Sequence, residues 1–184
     1  MSKSYDIFLS YRRSDGKLLA RLLKESLEKR GYRVFLDMDE LLDSVFDEHI
    51  IQAIQTAPIF LLLMTKQCFL RCHNPNDWVR MEIEYAVRAG KNIIPINPDN
   101  LFAGFAKSMP SHLREVLSMH QYSVIDTGQL YQVSIEKLVS DRINPAIRRE
   151  RRKRILNKFI PYLRIIPFYR KFSTIAFTNH YPNR

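Results

Sequence analysis

The sequence is poor in glycine and cysteine. Five glycines occur among 184 residues, and none forms a Gly-x-Gly-x-x-Gly or P-loop motif. A bound nucleotide would therefore have to be held without a glycine-rich phosphate cradle. The two cysteines, Cys68 and Cys72, stand next to His73, but a zinc site needs four ligands and the chain has no second cysteine pair. We predict two reduced thiols and no metal site.

Long apolar segments are also missing. The longest, residues 57–64, is far shorter than the ~20 residues that a membrane helix requires. The N-terminal residues contain no apolar stretch of the kind found in secretory signals. A content of 46% hydrophobic and 26% charged residues is typical of a soluble globular domain. We therefore expect a cytoplasmic protein.

The net charge of +10 is concentrated at one end of the chain. Residues 1–144 contain 18 Lys/Arg and 18 Asp/Glu, whereas residues 145–184 contain 11 Lys/Arg and one acid, Glu150. This distribution argues against a nucleic-acid-binding function for the first part and leaves it open for the second.

Short apolar strands alternate with amphipathic helices between residues 5 and 143. Strands are predicted at 5–10, 32–36, 59–64, 92–96 and 121–125, with helices between them and after the last. This order predicts an α/β, flavodoxin-like three-layer fold with a parallel five-stranded sheet. Ligands then bind outside the carboxyl ends of the strands. Pro95 suggests that the fourth strand lies at an edge or ends there.

Residues 76–86 (Asn-Asp-Trp-Val-Arg-Met-Glu-Ile-Glu-Tyr-Ala) predict the start of a helix capped by Asp77. One helical face should be buried, and it carries Val79, Ile83, Ala86 and Val87. Another face should stay in solvent as a charge ladder with one-turn spacing, formed by Arg80, Glu84 and Arg88.

Glu82 differs from Glu84 because it has no cation one turn away. Its neighbours at that spacing are Trp78 on one side and Tyr85 on the other. A carboxylate among aromatic side chains at the margin of a buried face is a candidate active-site group. The spacing alone still favours an ordinary surface glutamate.

Three segments in this order resemble the boxes of the TIR domain family. Residues 5–13 (Tyr-Asp-Ile-Phe-Leu-Ser-Tyr-Arg-Arg) resemble the first box, and residues 31–37 resemble the second strand and the entry to the BB loop. Residues 77–83 with 90–96 resemble the helix that carries the catalytic glutamate in NAD-cleaving TIR domains, and the strand after it. We predict a TIR domain at residues 4–143 and a basic, aromatic-rich extension at 144–184.

The resemblance implies cleavage of the nicotinamide–ribose bond of NAD+, with NAD+ as substrate and no cofactor. It makes Glu82 the catalytic residue. The substrate-binding positions that it implies are Tyr11, Arg12, Phe35, Asp37, Leu41, Phe46 and Trp78. Arg12 could meet phosphate oxygens with both arms of its guanidinium.

The chain resembles bacterial TIR proteins, in particular the stand-alone TIR subunit of Thoeris antiphage defence systems, and the TIR domain of the animal NAD-consuming axon-degeneration enzyme. This implies an ADP-ribose-derived messenger read by a separate effector, and self-association with other TIR copies. Hydrolysis, cyclisation and conjugation are all left open as the outcome at the ribose.

Two alternatives accompany this interpretation. The first is a non-catalytic TIR–TIR interaction module or adaptor, although adaptors usually lack the glutamate at this position. The second concerns residues 148–172, which could contact an anionic surface. Lipid, a partner protein and nucleic acid are all compatible with the mixture of basic and aromatic residues, as is a solvated helix that packs one apolar face on the core.

Overall fold

The computed structural model of the chain describes residues 4–36, 48–102 and 109–163, with side chains as far as residue 157. Five strands form one parallel sheet. They are β1 (Ile7–Tyr11), β2 (Val34–Phe35), β3 (Ile59–Leu63), β4 (Asn92–Pro98) and β5 (Ser123–Ile125). The strand order is β2-β1-β3-β4-β5, so the predicted flavodoxin-like arrangement is confirmed.

Helices connect the strands and cover both faces of the sheet. They are α1 (Arg13–Glu28), α2 (Glu48–Thr56), α3 (Trp78–Arg88), α4 (Ser111–Ser118), α5 (Tyr131–Leu138) and α6 (Asn144–Leu163). A π-helical turn, Val139–Ile143, joins α5 to α6. None of the helices described is long and apolar enough to cross a membrane.

Two hydrophobic clusters lie on opposite faces of the sheet. Alternate residues of β1 point to opposite faces because the side-chain period of a strand is two. Ile7, Leu9 and Tyr11 pack in the first cluster with residues of α1 and α5. Phe8 packs in the second cluster with residues of α2, α3 and α4. Ser10 follows Phe8 at the same period and therefore lies on the face that α3 covers.

The suggestion that Pro95 marks an edge strand needs correction. β4 lies inside the sheet, between β3 and β5. β5 pairs only with Ile96, Asn97 and Pro98, whereas β3 pairs with Pro95 through Leu62. One side of β4 is therefore unpaired at Pro95, and the missing N–H of proline is tolerated there.

The second part of the chain begins within α6. The chain divides into two units after Ile147. Helical structure continues past the predicted boundary at residues 143/144, because α6 runs from Asn144 to Leu163. Pro145 stands in the first turn of α6, directly after the π-helical turn, and it has no N–H to donate to that turn. Residues 151–157 are all exposed.

Candidate active site

Helix α3 brings Glu82 to the carboxyl end of β1, an inner strand of the sheet. The helix begins as the sequence predicts, since the side chain of Asp77 accepts a hydrogen bond from the backbone N–H of Arg80. Val79, Ile83 and Ala86 are buried as expected, but Val87 is 37% exposed. Glu82 is buried, with 7% of its surface exposed. It is thus set apart from an ordinary surface glutamate.

A serine that the sequence analysis did not single out holds this carboxylate. The hydroxyl of Ser10 donates a hydrogen bond to Oε2 of Glu82 over 2.5 Å, and both groups are buried. A short O–H···O⁻ bond of this kind fixes the orientation of the carboxylate. The available signal was the strand period, which puts Ser10 on the same face as Phe8 and under the following helix.

Glu84 occupies the contrasting position on the same helix. Its carboxylate pairs with Arg80 at 2.8 Å, with Arg88 at 3.3 Å and with His112 of α4 at 3.2 Å. The charge ladder predicted from the sequence is therefore present. Burial raises the pKa of Glu84, but the hydrogen bonds and charges of Arg80 and His112 outweigh it and lower that pKa overall.

A buried ion pair anchors the start of α3 to the end of β1. Arg12 donates to both carboxylate oxygens of Asp77, over 2.6 Å from Nη1 and 2.8 Å from Nη2. Its Nε and Nη2 atoms also donate to the backbone carbonyl of Cys68, over 3.2 Å and 2.8 Å. Because Asp77 is the N-cap of α3, this pair sets the position of the helix that carries Glu82.

The pKa values of Arg12 and Asp77 shift in the directions expected for an ion pair. Burial lowers the pKa of Arg12, but the hydrogen bond and charge of Asp77 outweigh it and raise that pKa overall. Burial raises the pKa of Asp77, yet the hydrogen bond and charge of Arg12 bring it below the usual value. Both residues are therefore ionised at neutral pH.

The cysteines belong to the same cluster. Cys68 and Cys72 are free thiols and are fully buried. The thiol of Cys72 donates to Oδ1 of Asp77 over 3.4 Å. Burial, followed by the charge and hydrogen bond of Asp77, raises the pKa of Cys72 to about 12. Within the described ranges no group of three or more His, Cys, Asp or Glu residues could hold a metal ion.

The structure brings some of the other predicted site residues close to Glu82 and separates others from it. Trp78 is one helical turn before Glu82 and packs, half-buried, against the second cluster. Phe35 stacks on Phe8 of β1 with ring centroids 5.1 Å apart. This places it in the same layer as Ser10. Tyr11 is buried in the first cluster, on the other face of the sheet from Glu82.

Arg12 lies beside the site but its guanidinium is engaged within the protein, so a contact with a phosphate stays a prediction. Asp37, Leu41 and Phe46 lie outside the described residues. The substrate-binding roles of all seven positions, and the catalytic role of Glu82, likewise stay predictions.

Comparison with known proteins identifies the family. The model of the TIR domain matches residues 7–139. The chain is 46% identical over 99 residues to the NAD(+) hydrolase tir-1 of Caenorhabditis elegans, which covers 52% of this chain and 10% of that protein. It is 35% identical over 141 residues to the NAD(+) hydrolase SARM1 of Danio rerio, which covers 74% of this chain and 19% of that protein. The chain thus spans between a tenth and a fifth of the length of these two relatives.

Solved structures give the same fold. The TIR domain of the Toll-related receptor TRR-2 from Hydra magnipapillata superposes with a TM-score of 0.53 at 21% identity, covering 77% of this chain and 99% of that one. A TIR-STING receptor from C. gigas superposes with a TM-score of 0.51 at 18% identity, covering 74% and 40%. These likenesses concern the fold alone. With the family model matching well over half of its length, the chain belongs to the TIR domain family.

Proposed function

We propose that this chain is an NAD+ nucleosidase that cleaves the nicotinamide–ribose bond with Glu82 as its catalytic residue. The observation that carries the proposal is the buried Glu82 carboxylate, held by Ser10 at the carboxyl end of β1. Relatives named NAD(+) hydrolase support the choice of substrate. Ligands of open α/β sheets bind at this end of the strands.

The reaction requires from the protein little more than one correctly oriented carboxylate. Nicotinamide leaves as a neutral molecule, so no general acid is needed. As the C–N bond breaks, positive charge develops on the ribose ring. A carboxylate next to the ring stabilises that charge, as in glycoside hydrolysis. Water then adds to the anomeric carbon and releases a proton, which gives ADP-ribose.

Each residue of the site has a role in this scheme. Ser10 orients the carboxylate of Glu82 through Oε2, and this carboxylate accepts hydrogen bonds from the ribose hydroxyls. Trp78 forms an aromatic wall one turn away, and Phe35, with Asp37, Leu41 and Phe46 of the BB loop, borders the nicotinamide. The resemblance assigns Tyr11 and Arg12 to the first-strand side of the substrate site; since Tyr11 packs on the other face of the sheet, the proposed scheme gives it no contact with Glu82. No cofactor takes part.

The wider role rests on the resemblance of the sequence to bacterial TIR proteins. In this role the chain is a cytoplasmic enzyme of antiphage defence. Its product is an ADP-ribose derivative, linear, cyclic or conjugated, which activates a separate effector. Self-association with other copies would complete or activate the site.

Mass spectrometry of small molecules from bacteria that express the chain, with and without phage, tests this proposal. The comparison is with Glu82→Ala, and Glu84→Gln is the matched control on the same helix. We expect a fall in NAD+ and a new ADP-ribose derivative in the wild type and in the control, and neither in Glu82→Ala. An unchanged NAD+ pool in all three strains would favour the interaction module. If plain ADP-ribose is the product, the chain is a simple NAD+ hydrolase and the proposal of a messenger is wrong.

A further inference from the structure

Helix α6 carries a face that combines arginines with exposed aliphatic side chains, and the catalytic proposal does not use it. Ile155 and Leu156 are 57% and 61% exposed. Arg151 and Arg152 precede them by four residues, and Arg148 and Arg149 by seven. Residues at these spacings share one face of a helix. We call these six residues the basic–aliphatic face.

The acid of this helix segment lies elsewhere. Glu150 is paired with Lys153 at 2.8 Å. Together with Asn157 these two residues follow the spacing i, i+3, i+7 and form the other flank of the helix. The basic–aliphatic face therefore carries four positive charges and no negative charge. A single acid is also all that occurs in residues 145–184.

The combination of side chains indicates the kind of partner. Arginines alone would suit any polyanion, including nucleic acid. Exposed isoleucine and leucine between them gain nothing from a phosphate backbone, but they can be buried at the boundary between headgroups and acyl chains. Arginine side chains can lay their methylene stems beside such residues while the guanidinium reaches the headgroup.

The sequence that follows continues the same composition. Residues 158–172 contain four basic residues and no acid, and their aromatic residues are Phe159, Tyr162, Phe168, Tyr169 and Phe172. Tyrosine is enriched where membranes meet water because its ring is apolar and its hydroxyl is polar. The composition of residues 158–172 and the arrangement of side chains on α6 therefore both favour contact with a membrane surface.

We propose that the basic–aliphatic face of α6 binds the surface of an anionic lipid bilayer. The chain would lie on the membrane as a peripheral protein. Binding would combine attraction to the headgroups with burial of Ile155 and Leu156. This proposal is independent of the NAD+ chemistry, because its test measures binding and not turnover.

The electrostatic part is tested by co-sedimentation of the full chain with vesicles of phosphatidylcholine containing phosphatidylserine, and with vesicles of pure phosphatidylcholine. We expect binding to the anionic vesicles only, weakened by salt. The double variant R151E/R152E should lose more than about a hundredfold in affinity. R21E/K29E makes the same change of charge at two exposed positions, one in α1 and one directly after it, and should bind like the wild type. Equal loss in both variants, or no vesicle binding by the wild type, would overturn the proposal.

The aliphatic part separates a membrane from other polyanions. I155S/L156S should weaken binding to anionic vesicles by about tenfold or more and leave binding to heparin unchanged. L18S/V133S, which alters two exposed aliphatic residues of α1 and α5, should affect neither. If I155S/L156S binds anionic vesicles as tightly as the wild type, the face recognises charge alone. The burial of Ile155 and Leu156 in a bilayer is then wrong, and the face is a site for polyanions in general, nucleic acid included.

Discussion

Two buried polar contacts connect β1 to α3 and determine where the Glu82 carboxylate lies. Ser10 fixes the carboxylate itself, and Arg12 fixes the first turn of the helix through Asp77. A hydrogen bond to a charged group contributes roughly 1.5–3 kcal/mol. Opening a buried ion pair by removing one partner costs more, because the other charge is left without a counterion.

Substituting Ser10 tests its role as a positioning residue. Ser10→Ala should lower kcat for NAD+ cleavage by about tenfold or more with little change in KM, because substrate contacts remain while Glu82 loses its orientation. Ser10→Thr, which keeps a hydroxyl, should retain more activity. Ser118→Ala, at an exposed serine of α4, serves as the control. Steady-state kinetics with equal kcat for Ser10→Ala and the control would show that the hydrogen bond does not matter to turnover.

The Arg12–Asp77 pair should make stability depend on acid pH. The folded pKa of Asp77 lies below its unfolded value. Its contribution is thus fully present above the unfolded pKa of about 4 and is lost as the pH falls through the folded value. Thermal melts recorded from pH 7 downwards should show a steeper loss of Tm below about pH 4 in the wild type than in Asp77→Asn.

Removing the guanidinium gives a second measure of the same pair. Arg12→Ala should cost roughly 3–5 kcal/mol of unfolding free energy at neutral pH. Asp6→Asn, in the pair of Asp6 with the exposed Arg33, should cost far less. Denaturant titrations compare the two variants, and similar midpoints would contradict the importance given to the buried pair.

At the scale of elements, the connection between β3 and α3 wraps around Arg12. It supplies the Cys68 carbonyl and the Cys72 thiol, and it ends in Asp77. Its two thiols are buried, so the rate at which they react shows whether this connection is locally unfolded.

Thiol labelling of Cys68 and Cys72 tests whether Asp77 keeps this connection folded. In the native wild type, Cys68 and Cys72 should react slowly with a disulfide reagent, because both are fully buried and the pKa of Cys72 is about 12. Asp77→Ala removes the centre of the cluster, so labelling at neutral pH should become faster well below the melting temperature. Glu84→Ala, on the exposed side of α3, should not accelerate it. Equal labelling rates in both variants would show that Asp77 does not stabilise this connection.

Sequence patterns predicted the elements better than the contacts between them. All five predicted strands occur with helices between them, and the sheet has the predicted flavodoxin-like order. Local periodicity explains this success, since it depends on residues close in sequence. The bond between Ser10 and Glu82 joins residues 72 positions apart, and no local pattern reveals it. The ion pair of Arg12 with Asp77 also joins residues that are distant in sequence, and no local pattern reveals it.

At the scale of the whole molecule, charge and catalysis are separated along the chain. Residues 1–144 carry no net charge, and residues 145–184 carry +10. The proposed catalytic residue lies in the neutral part and the basic–aliphatic face in the positive part. A TIR chain organised in this way could act at an anionic surface while its site handles a soluble nucleotide.

The proposed self-association is the feature of the whole molecule that bears most on the proposed activity. If neighbouring copies complete the site, the specific activity should rise with protein concentration and with added crowding agent. The rise should parallel the appearance of larger species in light scattering. A specific activity that stays constant over a hundredfold range of concentration would indicate a site complete within one copy.

Release of nicotinamide from NAD+ by the purified chain tests the assignment of Glu82 most directly. The measurement is chromatographic, at high protein concentration, for the wild type, Glu82→Ala and Glu84→Gln. We predict one nicotinamide per NAD+ consumed in the wild type, a rate within a few-fold of it in Glu84→Gln, and loss of at least about a thousandfold in Glu82→Ala. Equal rates in the wild type and Glu82→Ala would contradict the catalytic role of Glu82.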